Sequence, residues 1–265
     1  MSLHPSAIIH KDARIDATAT VGPFAVIGAN VEIGPRCVIG PQTWLDHARI
    51  CEGTRIGAGS LIGGNPQMLN WKEVPSLVSI GQNNDIRELV TIHRGKDENG
   101  VTSVGNDCMI MTNTHIGHDC AIGNNVIITT YSGLAGHVTV NDHVIIGGQV
   151  GIHQFVRIGE YAMIGGAALI VQDVVPYMLA QGNPARIRTF NMVGLKRKGF
   201  SDKARAEIKQ AFKVLFVKRG NLKTARQELA ALPDESGYVR KIIDFVNASK
   251  RGFIMGKKTD DEAEE

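Results

Sequence analysis

Branched aliphatic residues recur along this chain at intervals of six. An early run begins at Ile9, and after two interruptions a second run continues for twelve hexads without a slip. The second run consists of Val104, Ile110, Ile116, Ile122, Ile128, Leu134, Val140, Ile146, Ile152, Ile158, Ile164 and Ile170. An α-helix repeats every 3.6 residues and a strand every two, so neither explains a step of six. The pattern predicts a solenoid of short strands joined by corners.

Three hexads per turn would close each coil into a triangle. The hexads then give about eight coils, whose strands pair in parallel about 4.8 Å apart. We expect one aliphatic residue per hexad to point inward, and glycine to stand where the backbone bends. The spacing does not fix the hand of the coil, although the usual crossover rule favours a right-handed winding.

The hexad pattern ends after Pro176, and helical signals replace it. We predict three units: a repeat domain over residues 1–185, a helical domain over 186–256 and a disordered tail over 257–265. Ser201 is a candidate N-cap for a helix over 202–219, which Gly220 would end. Further helices are predicted over 222–232 and 235–249.

Charge divides the chain in the same way as the repeat does. The net charge of +3 is the sum of −5 over residues 1–185, +13 over 186–258 and −5 over the remaining tail. The basic segment favours an acidic partner over nucleic acid, because its LKRKGF stretch at 195–200 carries no interleaved aromatic residues. Four cysteines without a CxxC pair, no signal peptide and no long apolar run predict a cytoplasmic protein without a membrane span.

The repeat places chemically useful side chains on one edge of the prism. With 18 residues per coil, His118 and His137 lie on adjacent coils, and His153 lies one coil further. The same edge also holds His115, Asp119, Gln154 and Gly136, the last directly above His118. A neutral imidazole serves as a general base near pH 7, so this edge is the predicted functional site. Solvated surface histidines and a three-histidine zinc site are the alternatives.

Two excursions interrupt the repeat, over residues 63–79 and 93–103. Solenoids often carry such insertions on their binding face, so we expect both to border the site.

Several motifs, in order along the chain, resemble those of the UDP-N-acetylglucosamine O-acyltransferases, which begin lipid A biosynthesis. The resemblance covers about residues 5–255 and rests on the hexads and on TIHRG at 91–95, THIGHDC at 114–120, LAGHV at 134–138, HQF at 153–155, QGNPA at 181–185 and GLKRKGF at 194–200. We therefore expect this activity in preference to the related N-acyltransferases. That family carries a uridine-binding domain before its helix, whereas the hexads here begin within ten residues.

The resemblance implies a left-handed parallel β-helix with a C-terminal helical domain, assembled as a homotrimer with sites between subunits. It implies transfer of a (R)-3-hydroxyacyl chain from the phosphopantetheine of acyl carrier protein to the sugar 3-hydroxyl, with neither a metal nor a separate cofactor. His118 matches the general base, Asp119 its partner, and Gly136 the oxyanion donor. The remaining matches to substrate-binding positions are Gln67, His115, His137, His153, Gln154, Asn191, Arg197 and Gly166, the last limiting acyl length and, as glycine, leaving room for a long chain.

Three residues depart from the family pattern. Met68 and Asn70 replace an acid and a lysine, and Val193 replaces an acidic residue near the nucleotide-binding Asn191. These changes leave a 3-amino analogue of the UDP-sugar open as the acceptor. A metal-dependent hydratase of the same fold and a non-catalytic scaffold are the other hypotheses.

Overall fold

Almost every hexad forms a strand of two residues. The computed structural model describes residues 2–218 and 221–256. The first fifteen strands are β1 (Ser2–Leu3), β2 (Ile8–Ile9), β3 (Arg14–Ile15), β4 (Thr20–Val21), β5 (Val26–Ile27), β6 (Val31–Ile33), β7 (Val38–Ile39), β8 (Trp44–Leu45), β9 (Ala48–Ile50), β10 (Arg55–Ile56), β11 (Leu61–Gly64), β12 (Leu77–Ile80), β13 (Asp85–Ile86), β14 (Thr91–His93) and β15 (Val101–Val104). The others are β16 (Met109–Ile110), β17 (His115–Ile116), β18 (Ala121–Ile122), β19 (Ile127–Ile128), β20 (Gly133–Leu134), β21 (Thr139–Val140), β22 (Ile145–Ile146), β23 (Gly151–Ile152), β24 (Arg157–Ile158), β25 (Met163–Ile164), β26 (Leu169–Ile170), β27 (Met178–Gln181) and β28 (Arg186–Phe190).

The strands form three parallel sheets that are the faces of a prism. Sheet A runs β1-β4-β7-β10-β13-β16-β19-β22-β25-β27-β28, sheet B runs β2-β5-β8-β11-β14-β17-β20-β23-β26, and sheet C runs β3-β6-β9-β12-β15-β18-β21-β24. Each strand of the helix pairs with the strand three places later, so one coil is normally 18 residues, as in the register His115↔Gly133↔Gly151. This confirms the predicted solenoid with three hexads per coil.

The core contains two inward positions per hexad, not the single one that we expected. Besides each aliphatic residue, the residue two places before it is buried, as for Cys120 before Ile122 and Val138 before Val140. Residues two apart on a strand point to the same side, so the second position necessarily faces inward as well.

Glycine also has a different role from the predicted one. The corner residues with positive φ are mostly not glycine: from Asp107 to Ala167 they recur every six residues with φ between 55° and 65°. The glycines that follow the aliphatic residues instead face the next coil. A Cβ on Gly117 would lie 2.9 Å from the backbone of Ala135, and one on Gly147 would lie 2.6 Å from that of Gly166. Close approach of neighbouring coils therefore requires these glycines.

Both insertions are shorter than the sequence pattern indicated. β11 extends to Gly64 and β12 begins at Leu77, so the first insertion is residues 65–76. β14 ends at His93 and β15 begins at Val101, which leaves residues 94–100 as the second insertion. The flanking residues are drawn into the sheets because their backbone groups pair across neighbouring coils, as in Leu77↔Val101.

A hairpin that the sequence pattern did not predict ends the β-helix. β27 continues sheet A in parallel with β25, and β28 turns back antiparallel to β27 across position 185. The helices that follow are α1 (Met192–Arg197), α2 (Asp202–Phe212) with a π-helical turn (Lys213–Val217), α3 (Leu222–Ala230) and α4 (Tyr238–Ala248).

The predicted start of α2 is confirmed, because the Ser201 side chain accepts a hydrogen bond from the Ala204 N–H at 3.2 Å. Its predicted end at 219–220 and the predicted tail over 257–265 lie outside the described residues. α3 and α4 are slightly shorter than expected, and α1 was not predicted as a helix. Over the described part of the chain, no helix is long and apolar enough to cross a bilayer.

Candidate active site

Three successive corners between sheets B and C hold the predicted histidines. His118 and Asp119 follow β17, Gly136 and His137 follow β20, and His153 and Gln154 follow β23. The imidazoles of His118 and His137 meet edge to face with centroids 5.1 Å apart. The predicted order along the edge is confirmed, because the register of sheet B carries each residue onto the one 18 positions later.

His118 and Asp119 form a hydrogen-bonded pair. The His118 Nδ1 lies 2.8 Å from the Asp119 Oδ2, and both side chains are mostly buried. Because a carboxylate only accepts, the neutral His118 carries its hydrogen on Nδ1, which leaves the Nε2 lone pair free to take a proton. The Asp119 carboxylate also accepts the Lys96 N–H at 3.2 Å and lies 3.7 Å from the His137 Nε2.

Gly136 lies directly beneath the His118 ring. A Cβ built on Gly136 would be 2.5 Å from the His118 Cε1 and 2.6 Å from its Nε2. The Gly136 N–H has no acceptor within the parts of the chain that the structure describes. An unpaired backbone donor beside a base is the arrangement that stabilises a developing oxyanion.

The pair opens onto a cavity of about 520 Å³. Its lining includes six of the predicted residues: Gln67, His115, His118, Gly136, His153 and Gln154. Gln67 is brought there by the first insertion, as the sequence analysis expected of that segment. The His137 ring borders the same corner and stacks on Phe155 with centroids 4.6 Å apart.

His93 also lines this cavity, and the sequence analysis did not select it. It is almost fully buried and contacts the His115 ring edge to face at a centroid distance of 5.1 Å. The second insertion hides this neighbour from the 18-residue phase, since Thr91 pairs with His115 across 24 positions. Counting phase separately on each side of the insertion would have found it.

Burial keeps the two histidines at the back of the cavity neutral. Desolvation, followed by repulsion from His93 and His118, lowers the pKa of His115 to about 4. Desolvation likewise lowers the pKa of His93. The His115 Nδ1 is 2.8 Å from the Thr91 hydroxyl, so this ring is held in place as a neutral polar group near pH 7.

Three other predicted residues lie away from this cavity. Gly166 follows β25 at a corner between sheets A and B. Asn191 is the N-cap of α1, accepting from the Gly194 N–H at 3.1 Å and donating to the Tyr161 carbonyl at 2.9 Å. Arg197 is exposed in the last turn of α1. None of the three is in the lining around His118.

The three-histidine zinc set of the alternative hypothesis does not form in this chain. Within residues 2–218 and 221–256, one group of metal-type ligands lies close together, with donor atoms within 4.8 Å: His118, Asp119 and His137. His153 is not part of it, and the 2.8 Å hydrogen bond between His118 and Asp119 already uses two of these ligand atoms.

A prism of parallel hexad strands with a histidine–carboxylate pair at a corner defines a hexapeptide-repeat acyltransferase. Residues 173–254 match the family profile described as "Udp N-acetylglucosamine O-acyltransferase; Domain 2". Residues 102–136 match "Bacterial transferase hexapeptide (six repeats)", and residues 3–96 match "GMPPB C-terminal domain". The chain belongs to the UDP-N-acetylglucosamine O-acyltransferase family.

Individual relatives support this assignment. The chain is 41% identical over 211 residues to the acyl-[acyl-carrier-protein]–UDP-N-acetylglucosamine O-acyltransferase of Gloeothece citriformis, covering 78% of this chain and 76% of the relative. It is 42% identical over 205 residues to the enzyme of the same name from Burkholderia mallei, covering 76% and 78%. The solved UDP-N-acetylglucosamine acyltransferase of Francisella novicida superposes with a TM-score of 0.93 at 38% identity, covering 97% of this chain and 95% of that one.

The hand of the coil follows from this superposition. A coil wound in the opposite sense could not superpose over nearly its whole length, so the chain has the left-handed winding of its family. The right-handed winding favoured by the crossover rule is wrong here. That rule describes a crossover that packs back onto one sheet, whereas each connection here passes through two further sheets.

Proposed function

We propose that this protein transfers a (R)-3-hydroxyacyl chain from acyl carrier protein to the 3-hydroxyl of UDP-N-acetylglucosamine, the first step of lipid A biosynthesis. The observation that carries the proposal is the His118–Asp119 pair above the free Gly136 N–H, open to a cavity. The curated relatives bear the name of this activity.

In the proposed mechanism His118 is the general base. Its Nε2 takes the proton of the sugar 3-hydroxyl as that oxygen attacks the thioester carbonyl of the acyl donor. The Asp119 carboxylate stabilises the resulting imidazolium, and the Gly136 N–H donates to the oxyanion of the tetrahedral intermediate. Collapse of the intermediate breaks the carbon–sulfur bond, and the imidazolium returns its proton to the leaving thiolate. The products are the sugar ester and the free phosphopantetheine thiol, with no metal or other cofactor.

The remaining cavity residues would bind the two substrates. Gln67, His115 and Gln154 present neutral polar groups to the cavity, as a sugar nucleotide with many hydroxyl groups requires. His137 and His153 flank the base on its own coil edge and the next.

We propose that the complete site forms in a homotrimer. Gly166, Asn191 and Arg197 cannot reach His118 within one chain without rearrangement, but a second copy packed against sheet B could supply them. An apolar ladder on the outer side of sheet A offers such an interface: Met109, Ile127, Ile145 and Met163 are registered on consecutive coils. A ladder without charges is typical of a protein interface.

Acyl carrier protein is acidic, and it is the proposed partner of the basic helical region. Residues 186–258 carry a net charge of +13, and Lys196, Arg197 and Lys198 are exposed at the end of α1. Both proposed substrates are cytoplasmic metabolites, which places the reaction in the cytoplasm.

The acceptor is the point on which this chain departs from the family pattern. Met68 on the first insertion and Val193 on α1 are exposed apolar side chains at positions where the family carries charges. A 3-amino analogue of the UDP-sugar is therefore the second candidate acceptor. A mass spectrum of the product from each UDP-sugar, with a panel of acyl carrier thioesters, decides between ester and amide.

The test of the base is His118→Ala in purified protein. We expect the rate of acyl transfer to fall by about 10²–10⁴, the range that a general base supplies. His10→Ala is the matched control, since His10 is exposed on the first coil, and it should keep the wild-type rate. Near-wild-type transfer by His118→Ala would show that another residue is the base. Loss of transfer on metal removal would favour the hydratase-type alternative.

A further inference from the structure

The last residues of the described chain return to the β-helix and are anchored there. The Ser249 hydroxyl donates to the Asp173 Oδ2 at 2.8 Å, and the Asp173 N–H donates to the Gly252 carbonyl at 3.0 Å. The Ile254 N–H completes the attachment by donating to the Asp173 carbonyl at 2.9 Å. Asp173 is fully buried, so this anchor is part of the folded core. Arg251 lies between the anchored residues, and its backbone position is therefore fixed.

The Arg251 side chain connects this segment to the active site. Its Nε donates to the Val171 carbonyl at 2.8 Å, and its Nη2 lies 2.9 Å from the Nδ1 of His153. Arginine has five N–H donors in a rigid planar fork and no acceptor. One edge of the fork is thus held by the last coil while the other is directed at an imidazole of the cavity.

This contact determines which nitrogen of His153 carries the hydrogen. Because the guanidinium can only donate, the His153 Nδ1 must accept, and the neutral ring carries its hydrogen on Nε2. The same Nδ1 lies 3.1 Å from the Gln154 carbonyl, which can only accept. Arg251 and the Gln154 carbonyl therefore favour opposite tautomers of one ring.

We propose that Arg251 is a positioning residue that keeps His153 in the Nε2–H tautomer, so that this ring offers a hydrogen-bond donor to the bound substrates. The inference rests on the proposed function, since it assigns His153 to substrate binding. Without Arg251, the Nδ1–H form pairs with the Gln154 carbonyl, and Nε2 changes from a donor to an acceptor. The cavity then loses a donor while the ring itself stays in place.

The test uses the full chain with ¹⁵N-labelled imidazoles, because ¹⁵N shifts distinguish the two tautomers directly. The His153 signal is identified by its absence in His153→Gln. We expect the Nε2–H form in the wild type and the Nδ1–H form in Arg251→Met. A wild-type His153 in the Nδ1–H form would overturn the proposal, whether or not any variant folds.

Kinetics supply the second readout. Arg251→Met should lower kcat/KM about tenfold, the upper range for one hydrogen bond, and added guanidinium should restore part of the loss. Lys250→Met is the control, because it removes the neighbouring exposed charge without touching His153. Equal losses in the two variants would point to general electrostatics and overturn the assignment. If the wild type acylates no UDP-sugar, the proposed function fails instead, and the tautomer measurement still stands alone.

Discussion

Replacing Gly136 with alanine tests the site geometry most directly. The new Cβ would lie 2.5 Å from the His118 Cε1, whereas ordinary contacts begin at 3.4 Å, so the ring must retreat by about 0.9 Å. Gly136 is not among the residues with positive φ, so alanine introduces no backbone strain there. The perturbation is therefore confined to the position of the proposed base.

The expected cost follows from that displacement. A reacting group misplaced by about 1 Å loses on the order of 10²-fold in rate. Retreat of the ring also disturbs the 2.8 Å hydrogen bond to Asp119. We expect kcat/KM for acyl transfer to fall at least 100-fold in Gly136→Ala, while the melting temperature changes by no more than about 2 °C, because a single side chain can move.

A second glycine provides the matched control. A Cβ on Gly105 would lie 2.6 Å from the Gly123 carbonyl oxygen, so it would collide with the backbone of the next coil, far from the cavity. Gly105→Ala should lower the melting temperature and keep the wild-type kcat/KM. If Gly136→Ala retains activity within threefold of the wild type, the placement of His118 above Gly136 in the working enzyme is refuted.

Two further predictions concern stability. The unfolded chain binds a proton at His115 below its ordinary pKa of 6.5, whereas the folded chain does so only near 4. The free energy of unfolding should therefore decrease by up to about 3 kcal/mol as the pH falls from 6.5 to 4, and His115→Gln should flatten this slope in urea titrations. Arg94 is fully buried and holds the first insertion by donating to the Asn65 side chain at 2.8 Å, to the Val74 carbonyl at 3.2 Å and to Glu73. Arg94→Met should destabilise the protein by about 2–3 kcal/mol and speed proteolysis within residues 65–76, and unchanged cleavage there would contradict this role.

The sequence was sufficient for the coil and for most of the site edge, and the reason is physical. Parallel pairing repeats every 18 residues, so a position in the chain converts directly into a position on the prism, as for His118 and Gly136. The conversion fails at insertions, which is why His93 was missed.

Other features had no sequence signal of this kind. The contact between Arg251 and His153 joins residues 98 positions apart and depends on how the C-terminal segment docks on the last coil. The hairpin of β27 and β28 likewise follows the end of the repeat, where no period remains to be counted. These parts of the structure come from tertiary packing, which the hexad pattern does not encode.

The site is built on a regular feature of the fold. Asp119, His137 and Phe155 occupy the left-handed corner positions of three consecutive coils, with φ of 58°, 61° and 65°. A left-handed non-glycine residue costs roughly 1 kcal/mol, but here the same conformation recurs at most corners, including those far from the cavity. The conformation therefore belongs to the coil rather than to the catalytic site. A histidine and an acid placed at two successive positions of such a corner are brought within 2.8 Å of each other without additional strain, while the next coil supplies the Gly136 N–H beneath them. The repeat thus preorganises the base, its partner and the oxyanion donor through backbone spacing alone, and the insertions and the C-terminal segment are left to complete substrate binding.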